Sequence, residues 1–228
     1  IDKLIEIVNS GNKILDIASK SGEFAFAAYN LLHGKVDEEK LKNAIYAIPT
    51  SKDAYEFTRY LYENIGLNVS NIAEEFISFD LLEVKKENKE IDYGKIKLLL
   101  TQDKPFNEIT LQDEVQEGDK KVKFDAIVGN PPYQETISTN DANRSLSKQL
   151  FPEFIKLTIK LNAKYSSLIT PSRWFTGEAQ DGSFISLRKF IKEHNHFVSI
   201  YNYSKASNVF DNVWIAGGVN YYVFDRDY

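Results

Sequence analysis

The residues best placed to do chemistry are Asn130, Pro131, Pro132 and Tyr133, which follow the apolar run Phe124-Asp125-Ala126-Ile127-Val128-Gly129. The two prolines remove two backbone donors and fix two φ angles, and Pro131 drives Asn130 toward an extended conformation. An amide, a rigid pair of carbonyls and an aromatic ring are thereby presented together. The chemistry this group suits is methylation of an exocyclic amine. Such a nitrogen is a poor nucleophile because its lone pair is delocalised into the ring. Two acceptors on its N–H bonds would pull it toward tetrahedral geometry and free the lone pair. The Asn130 side-chain oxygen and the Pro131 carbonyl are a suitable pair, and Tyr133 can stack on the base. The competing reading is a strand-ending Asn-Pro-Pro turn with a core tyrosine.

These residues need an element to hold them. Phe124 to Val128 reads as a buried strand, and the carboxyl ends of strands are where open α/β sheets bind ligands. The rest of the chain supplies such a sheet. Residues 1–12 read as a helix closed by Asn9-Ser10-Gly11. Lys13 to Phe24 reads as strand, turn and the start of a helix running to Leu32. A polar helical stretch, 37–43, precedes a strand ending at Ile48-Pro49-Thr50-Ser51 and a helix from about Lys52 to Asn64. Asn71 to Leu82 reads as a third strand ending in Asp80. Residues 83–121 are charged and turn-rich, and are read as an insertion carrying a hairpin or short helix. Gln134 to Ser147 is polar without apolar period and reads as a flexible loop. Leu150 to Leu161 is an amphipathic helix and Tyr165 to Thr170 a strand, stopped by Pro171-Ser172-Arg173-Trp174-Phe175. A helix over 184–193, a strand over 197–203 and a closing strand after Ile215-Ala216-Gly217-Gly218 complete the pattern. His194 and His196 flank a helix–strand junction and read as structural rather than metal-binding.

Phe124 to Gln134 resembles motif IV of the amino-methyltransferases that use S-adenosylmethionine. Its fuller form, Val128 to Gln134, resembles the DNA adenine-N6 methyltransferases of the Eco57I-like restriction–modification group. The resemblance implies Asn130, Pro131, Pro132 and Tyr133 as catalytic residues. It implies S-adenosylmethionine as cofactor, double-stranded DNA as partner through a recognition domain outside this chain, and a fused or separate nuclease. Lys13 to Phe24 resembles the cofactor loop of that family, with Asp16, Ala18, Ser21, Gly22 and Phe24 matching. Ile17 replaces a usual proline, and Lys20 stands where a glycine is usual. The next strand resembles the one that contacts the cofactor ribose, but Pro49 takes the place of its acid, which leaves Thr50 or Ser51 as weaker partners. Asp80 matches the acid that contacts the cofactor's adenine. Trp174 and Phe175 match a segment whose exposed aromatics could pack on the pocket of the flipped base; core aromatics at a loop start are the competing reading. The resemblance implies a Rossmann-like methyltransferase domain over 1–228: a mostly parallel twisted sheet with helices on both faces.

Composition agrees with one α/β domain. In 228 residues, 43% are apolar and 27% charged, as in ordinary globular proteins. No apolar run reaches the length of a membrane span, and cytoplasmic residence is expected. The lack of Cys excludes disulfides and argues against a cysteine metal site, and no metal is expected. A net charge of −5 does not match a stand-alone DNA binder. It suits a catalytic part whose grip on DNA is supplied elsewhere. The absence of Met and an isoleucine at position 1 lead to the expectation of a trimmed chain. Two rival readings stand beside this one. An RNA- or glutamine-directed methyltransferase would share Asn-Pro-Pro-Tyr. A non-catalytic module with a decayed cofactor loop would explain Lys20 and Pro49.

Overall fold

Strand β1 (Lys13–Ser19) lies between two parallel partners, β2 (Ile45–Pro49) and β3 (Phe124–Gly129). Strands covered on both faces need apolar side chains on both, and β1 and β3 are buried almost throughout. This computed structural model describes residues 1–115, 122–137, 146–211 and 213–228. The sheet continues through β6 (Tyr165–Pro171), parallel to β3, and closes with two antiparallel strands, β8 (Val219–Asp225) and β7 (Phe197–Tyr203). Its order is β2-β1-β3-β6-β8-β7. A separate antiparallel hairpin, β4 (Gln134–Ile137) and β5 (Leu146–Gln149), follows the Asn130–Tyr133 turn.

Helices cover both faces, as the alternation of elements predicts. Helices α1 (Asp2–Asn9), α2 (Glu23–Leu32), α3 (Glu38–Lys42) and α4 (Lys52–Ile65) enclose one core with Ile14, Ile45 and Ala126. The helix α4 starts on a Ser51 hydroxyl that accepts the Ala54 amide, and it buries Ala54, Thr58 and Tyr62 at four-residue spacing. Helices α5 (Tyr93–Leu100), α6 (Phe151–Lys160) and α7 (Ser183–Glu193) enclose the other core with Leu15, Ile17, Ile127 and Leu168. Neighbouring residues of β1 thus serve opposite cores, as period-two alternation requires. Among the described residues no helix is long and apolar enough to cross a membrane.

Two expectations are corrected. The third strand does not form: Ile72 makes a single parallel bridge to Ala47, and Ser78–Glu83 forms a 3-10 turn instead. The Asp80 carboxylate accepts the Ile77 amide, a local bond that favours a turn over a strand. The polar stretch after Tyr133 is not a loop over its whole length, because 134–137 and 146–149 pair as β4 and β5. The expected flexible loop over 138–145 lies outside the described residues, as does the turn read over 116–121. Segment 83–115 carries the short helix α5, and its Val84, Ile96, Leu100, Phe106 and Ile109 are buried in the main core. That segment is part of the core packing, at roughly 1.5–3 kcal/mol per fully buried large side chain.

Candidate active site

The chain leaves β1 for β2 on one side, then returns to β3 on the other, so the strand order reverses between β1 and β3. Such a reversal opens a crevice at the carboxyl ends of the strands. Asp16 of β1 lies in register beside Val128 of β3, two residues before Asn130. The loop after β1 and the turn after β3 therefore border one crevice. Gly129 keeps them close: a Cβ there would stand 3.1 Å from the Ile17 Cγ2 and 3.4 Å from the Ala18 amide nitrogen.

The first loop is built around a buried carboxylate. Asp16 is 1% exposed; its Oδ1 accepts the Ala18 amide at 3.2 Å, while its Oδ2 is buried without a hydrogen-bond partner. Burial raises its pKa to about 7, against a partial offset from the Ala18 amide. A half-satisfied buried acid of this kind is a natural seat for a cation or a donor. Beyond it, the Ser19 hydroxyl accepts the Gly22 amide at 3.2 Å and shares a 3.0 Å hydrogen bond with Thr58 of α4. Gly22 takes φ 81, the left-handed conformation at the start of α2, over the side chain of Leu61. Lys20 is exposed and has no positive φ. The glycine missing at position 20 is thus not needed for the backbone, because Gly22 makes the turn.

At the end of β2, Pro49 is buried in the sheet and the Thr50 amide donates to the Ser19 carbonyl, which places Thr50 at the same edge. Ser51 is committed to capping α4. Asp80 caps Ile77 through one oxygen. Phe24 and Ser21 lie on and before α2, and the Ser21 amide donates to Glu23.

The Asn130–Tyr133 turn presents an open acceptor. The Asn130 Oδ1 is buried and has no hydrogen-bond partner, and the Tyr133 hydroxyl is equally unpaired. Burial pushes the Tyr133 pKa upward, so the phenol stays neutral. Its ring is partly buried and meets Phe151 edge to face, with centroids 6.5 Å apart. The Tyr133 carbonyl accepts the Leu150 amide, which ties the turn to the end of β5.

Trp174 and Phe175 pack edge to face at 4.6 Å; of the two readings of these aromatics, Trp174 follows the core one, since it is buried rather than exposed. The indole buries its large apolar surface there, with its Nε1–H left without a partner among the described residues. Beside them in the chain stands Arg173, which sequence reasoning did not single out. Its guanidinium donates to the side-chain oxygens of Gln134 and Gln149, one on each strand of the hairpin. Burial lowers its pKa, and it joins no ion pair among the described residues. Thr58 was missed as well; only its four-residue spacing from Ala54 and Tyr62 signals burial. Neither His194 nor His196 joins a metal cluster among the described residues; their Nδ1 atoms bond the Phe190 and Tyr228 carbonyls.

A sequence profile of the Eco57I restriction-modification methylases matches residues 43–210, the greater part of the chain. The chain belongs to that family. A relative in Mycoplasma pneumoniae, described as an uncharacterized adenine-specific methylase, is 32% identical over 108 residues. That match covers 47% of this chain and 25% of the relative. This Eco57I-family chain also shares its fold with the methyltransferase subunit of a type I restriction-modification system from Streptococcus thermophilus (TM-score 0.54, 14% identity), covering 99% of this chain and 43% of that one. A cryo-EM structure of a DrdV–DNA complex is similar over 97% of this chain and 24% of its own (TM-score 0.58, 14% identity). The family member described here thus spans a quarter of its curated relative and less than half of either solved chain.

Proposed function

We propose that this chain is the catalytic domain of a DNA methyltransferase that methylates N6 of a flipped adenine as part of a restriction–modification system. The observation that carries the reading is the unpaired Asn130 Oδ1, directly after the strand next to the one that bears the half-satisfied Asp16 carboxylate. The residues fit S-adenosylmethionine, whose ammonium and sulfonium charges suit a buried acid with a free oxygen. Asp16, Ala18, Ser21, Gly22 and Phe24 would hold its methionine end, Thr50 its ribose and Asp80 its adenine. When bound, the cofactor supplies a methyl group already activated by the sulfonium.

The chain's own residues then act on the base. Asn130 Oδ1 and the Pro131 carbonyl accept the two N6 protons and raise the nucleophilicity of that nitrogen. Pro132 keeps the turn rigid, so both acceptors are aimed before the base arrives. Tyr133 stacks on the base, and Trp174 and Phe175 back the pocket from the end of β6. With its two protons held by these acceptors, N6 would have its lone pair free to accept the methyl group, and would afterwards lose one proton. Recognition of a DNA site, and any nuclease, belong to parts of the protein outside this chain. Calorimetry with S-adenosylmethionine, paired with methyl transfer to adenine-containing duplexes, tests the reading. Binding and transfer that both vanish in a folded Asn130→Ala, Asp16→Ala double variant support it. A folded wild-type chain that does not bind the cofactor argues for the rival suggested by Pro49, a methyltransferase fold kept as a binding module.

A further inference from the structure

A cleft of about 950 Å³ opens next to the catalytic hairpin, between β5, the start of α7 and the turn at residues 85–90. Among the described residues five lysines line it, Lys85, Lys86, Lys89, Lys148 and Lys156, against three carboxylates, Glu90, Glu153 and Asp181. This concentration of positive charge occurs in a chain whose net charge is −5. The carboxylates are engaged. Glu153 accepts from the Tyr93 hydroxyl and pairs with Lys156, Asp181 accepts the Ser183 amide, and Glu90 accepts from Asn88. Three of the lysines are not: Lys86, Lys89 and Lys148 form no ion pair among the described residues. Lys148 stands across the hairpin from Glu135 in register without closing one. Lys89 sits at φ 68, a left-handed conformation unfavourable for a residue with a Cβ. Tyr93 and Ser183, the first residues of α5 and α7, line the same cleft, so two helix N-termini add to its positive potential.

The cleft is linked to the candidate site through hydrogen-bonded side chains. Gln149 lines it and accepts from Arg173, whose second partner, Gln134, directly follows Tyr133. We propose that this cleft carries the sugar–phosphate backbone of the DNA strand flanking the target adenine. Lysines are mobile point charges, suited to phosphates that carry no sequence information. The cleft supplies position, and base identity is read elsewhere. The inference rests on the reading of the chain as a DNA methyltransferase domain.

The test is a fluorescent-duplex titration at a series of salt concentrations, for wild type and for the triple variant Lys86→Gln, Lys89→Gln, Lys148→Gln. A control triple outside the cleft is Lys35→Gln, Lys42→Gln, Lys192→Gln. The cleft variant is expected to weaken duplex binding roughly 10- to 100-fold near physiological salt. It should also flatten the log–log salt slope by about 2–3, at roughly 0.9 for each phosphate that is no longer neutralised. Its thermal melting and S-adenosylmethionine affinity stay at wild-type values, and the control triple binds duplex as wild type does. The proposal is overturned if the cleft variant keeps both affinity and slope, if the control loses as much, or if duplex RNA binds more tightly than DNA. It is also overturned if wild type binds the cofactor but no duplex at low salt. Loss of cofactor and duplex binding together in folded wild type would instead remove the methyltransferase reading itself.

Discussion

The Asn130–Tyr133 turn and the loop after β1 border one crevice, yet they are held in different ways. The turn is a local construction. Two prolines set its backbone, Gly129 lets it approach β1, and the Leu150 amide ties it down. The loop is a distributed one: Ser19 leans on Thr58 of α4, Gly22 rests over Leu61, and Asp16 is dehydrated by the core around it. This difference agrees with the resemblance, in which the turn matches its motif throughout and the loop departs from its own. A substitution in the turn has nothing to replace it. One in the loop can be absorbed by another segment, as Gly22 absorbs the loss of a glycine at position 20.

Five substitutions sharpen or break that contrast. Asn130→Ala removes the amide acceptor of the turn and is expected to lower the methyl-transfer rate about 100- to 1,000-fold with cofactor affinity unchanged. A rate within threefold of wild type, in single-turnover assays, would show that the turn does not activate the base. Asp16→Asn acts on the loop through charge. The folded Asp16 titrates near 7 against an ordinary value of 3.8, so the folded state keeps a proton that the unfolded state has lost between these pH values. Wild-type stability therefore falls as pH rises through that window, and the penalty is complete above it. The Asn variant should match wild type below pH 4 and exceed it by about 2–4 kcal/mol above pH 7. Its cofactor affinity should be at least tenfold weaker at pH 8, by roughly the weight of a buried charge-assisted contact. Denaturant melts across pH would expose a flat difference and refute the assignment.

Gly129→Ala brings a methyl group to 3.1 Å from Ile17, and overpacking of this kind costs about 1–3 kcal/mol. Because it lies between turn and loop, both transfer rate and cofactor affinity should drop, whereas a stability loss alone would show that the two sides are independent. Arg173→Gln cuts the link to both strands of the hairpin, and a fall of about tenfold in kcat with little change in Tm is expected, the size of one or two lost hydrogen bonds. Rescue by Arg173→Lys would argue for charge over the forked geometry. The smallest effect is expected from Lys20→Gly. With no positive φ at position 20 to relieve, stability should change by less than about 1 kcal/mol and cofactor affinity by less than twofold.

Much of the fold was legible in order and type: β1, α2, β2, α4, β3, α6, β6, α7 and β7 fall where hydrophobic period and Gly/Pro punctuation put them. The misses share a cause. Asn71 to Leu82 has the apolar content of a strand, but Asp80 bonds its own backbone and the segment keeps one bridge to β2. The hairpin after Tyr133 lies apart from the main sheet and so carries no apolar alternation to betray it. Trp174 looked like a loop aromatic because nothing local says which face of the turn meets the core.

By itself the sequence determined the Asn130–Tyr133 turn, the strands that flank it and the identity of the acid at Asp16, since each depends on residues adjacent in the chain. Only the tertiary structure decided that Asp16 is dry enough to titrate near 7, that Gly22 rather than position 20 bends left-handed, and that Arg173 braces the hairpin. It also gathered lysines from residues 85–89, 148 and 156 into one cleft. Dehydration, close approach and the summation of charge depend on distances through space, and those distances exist only once the chain has folded.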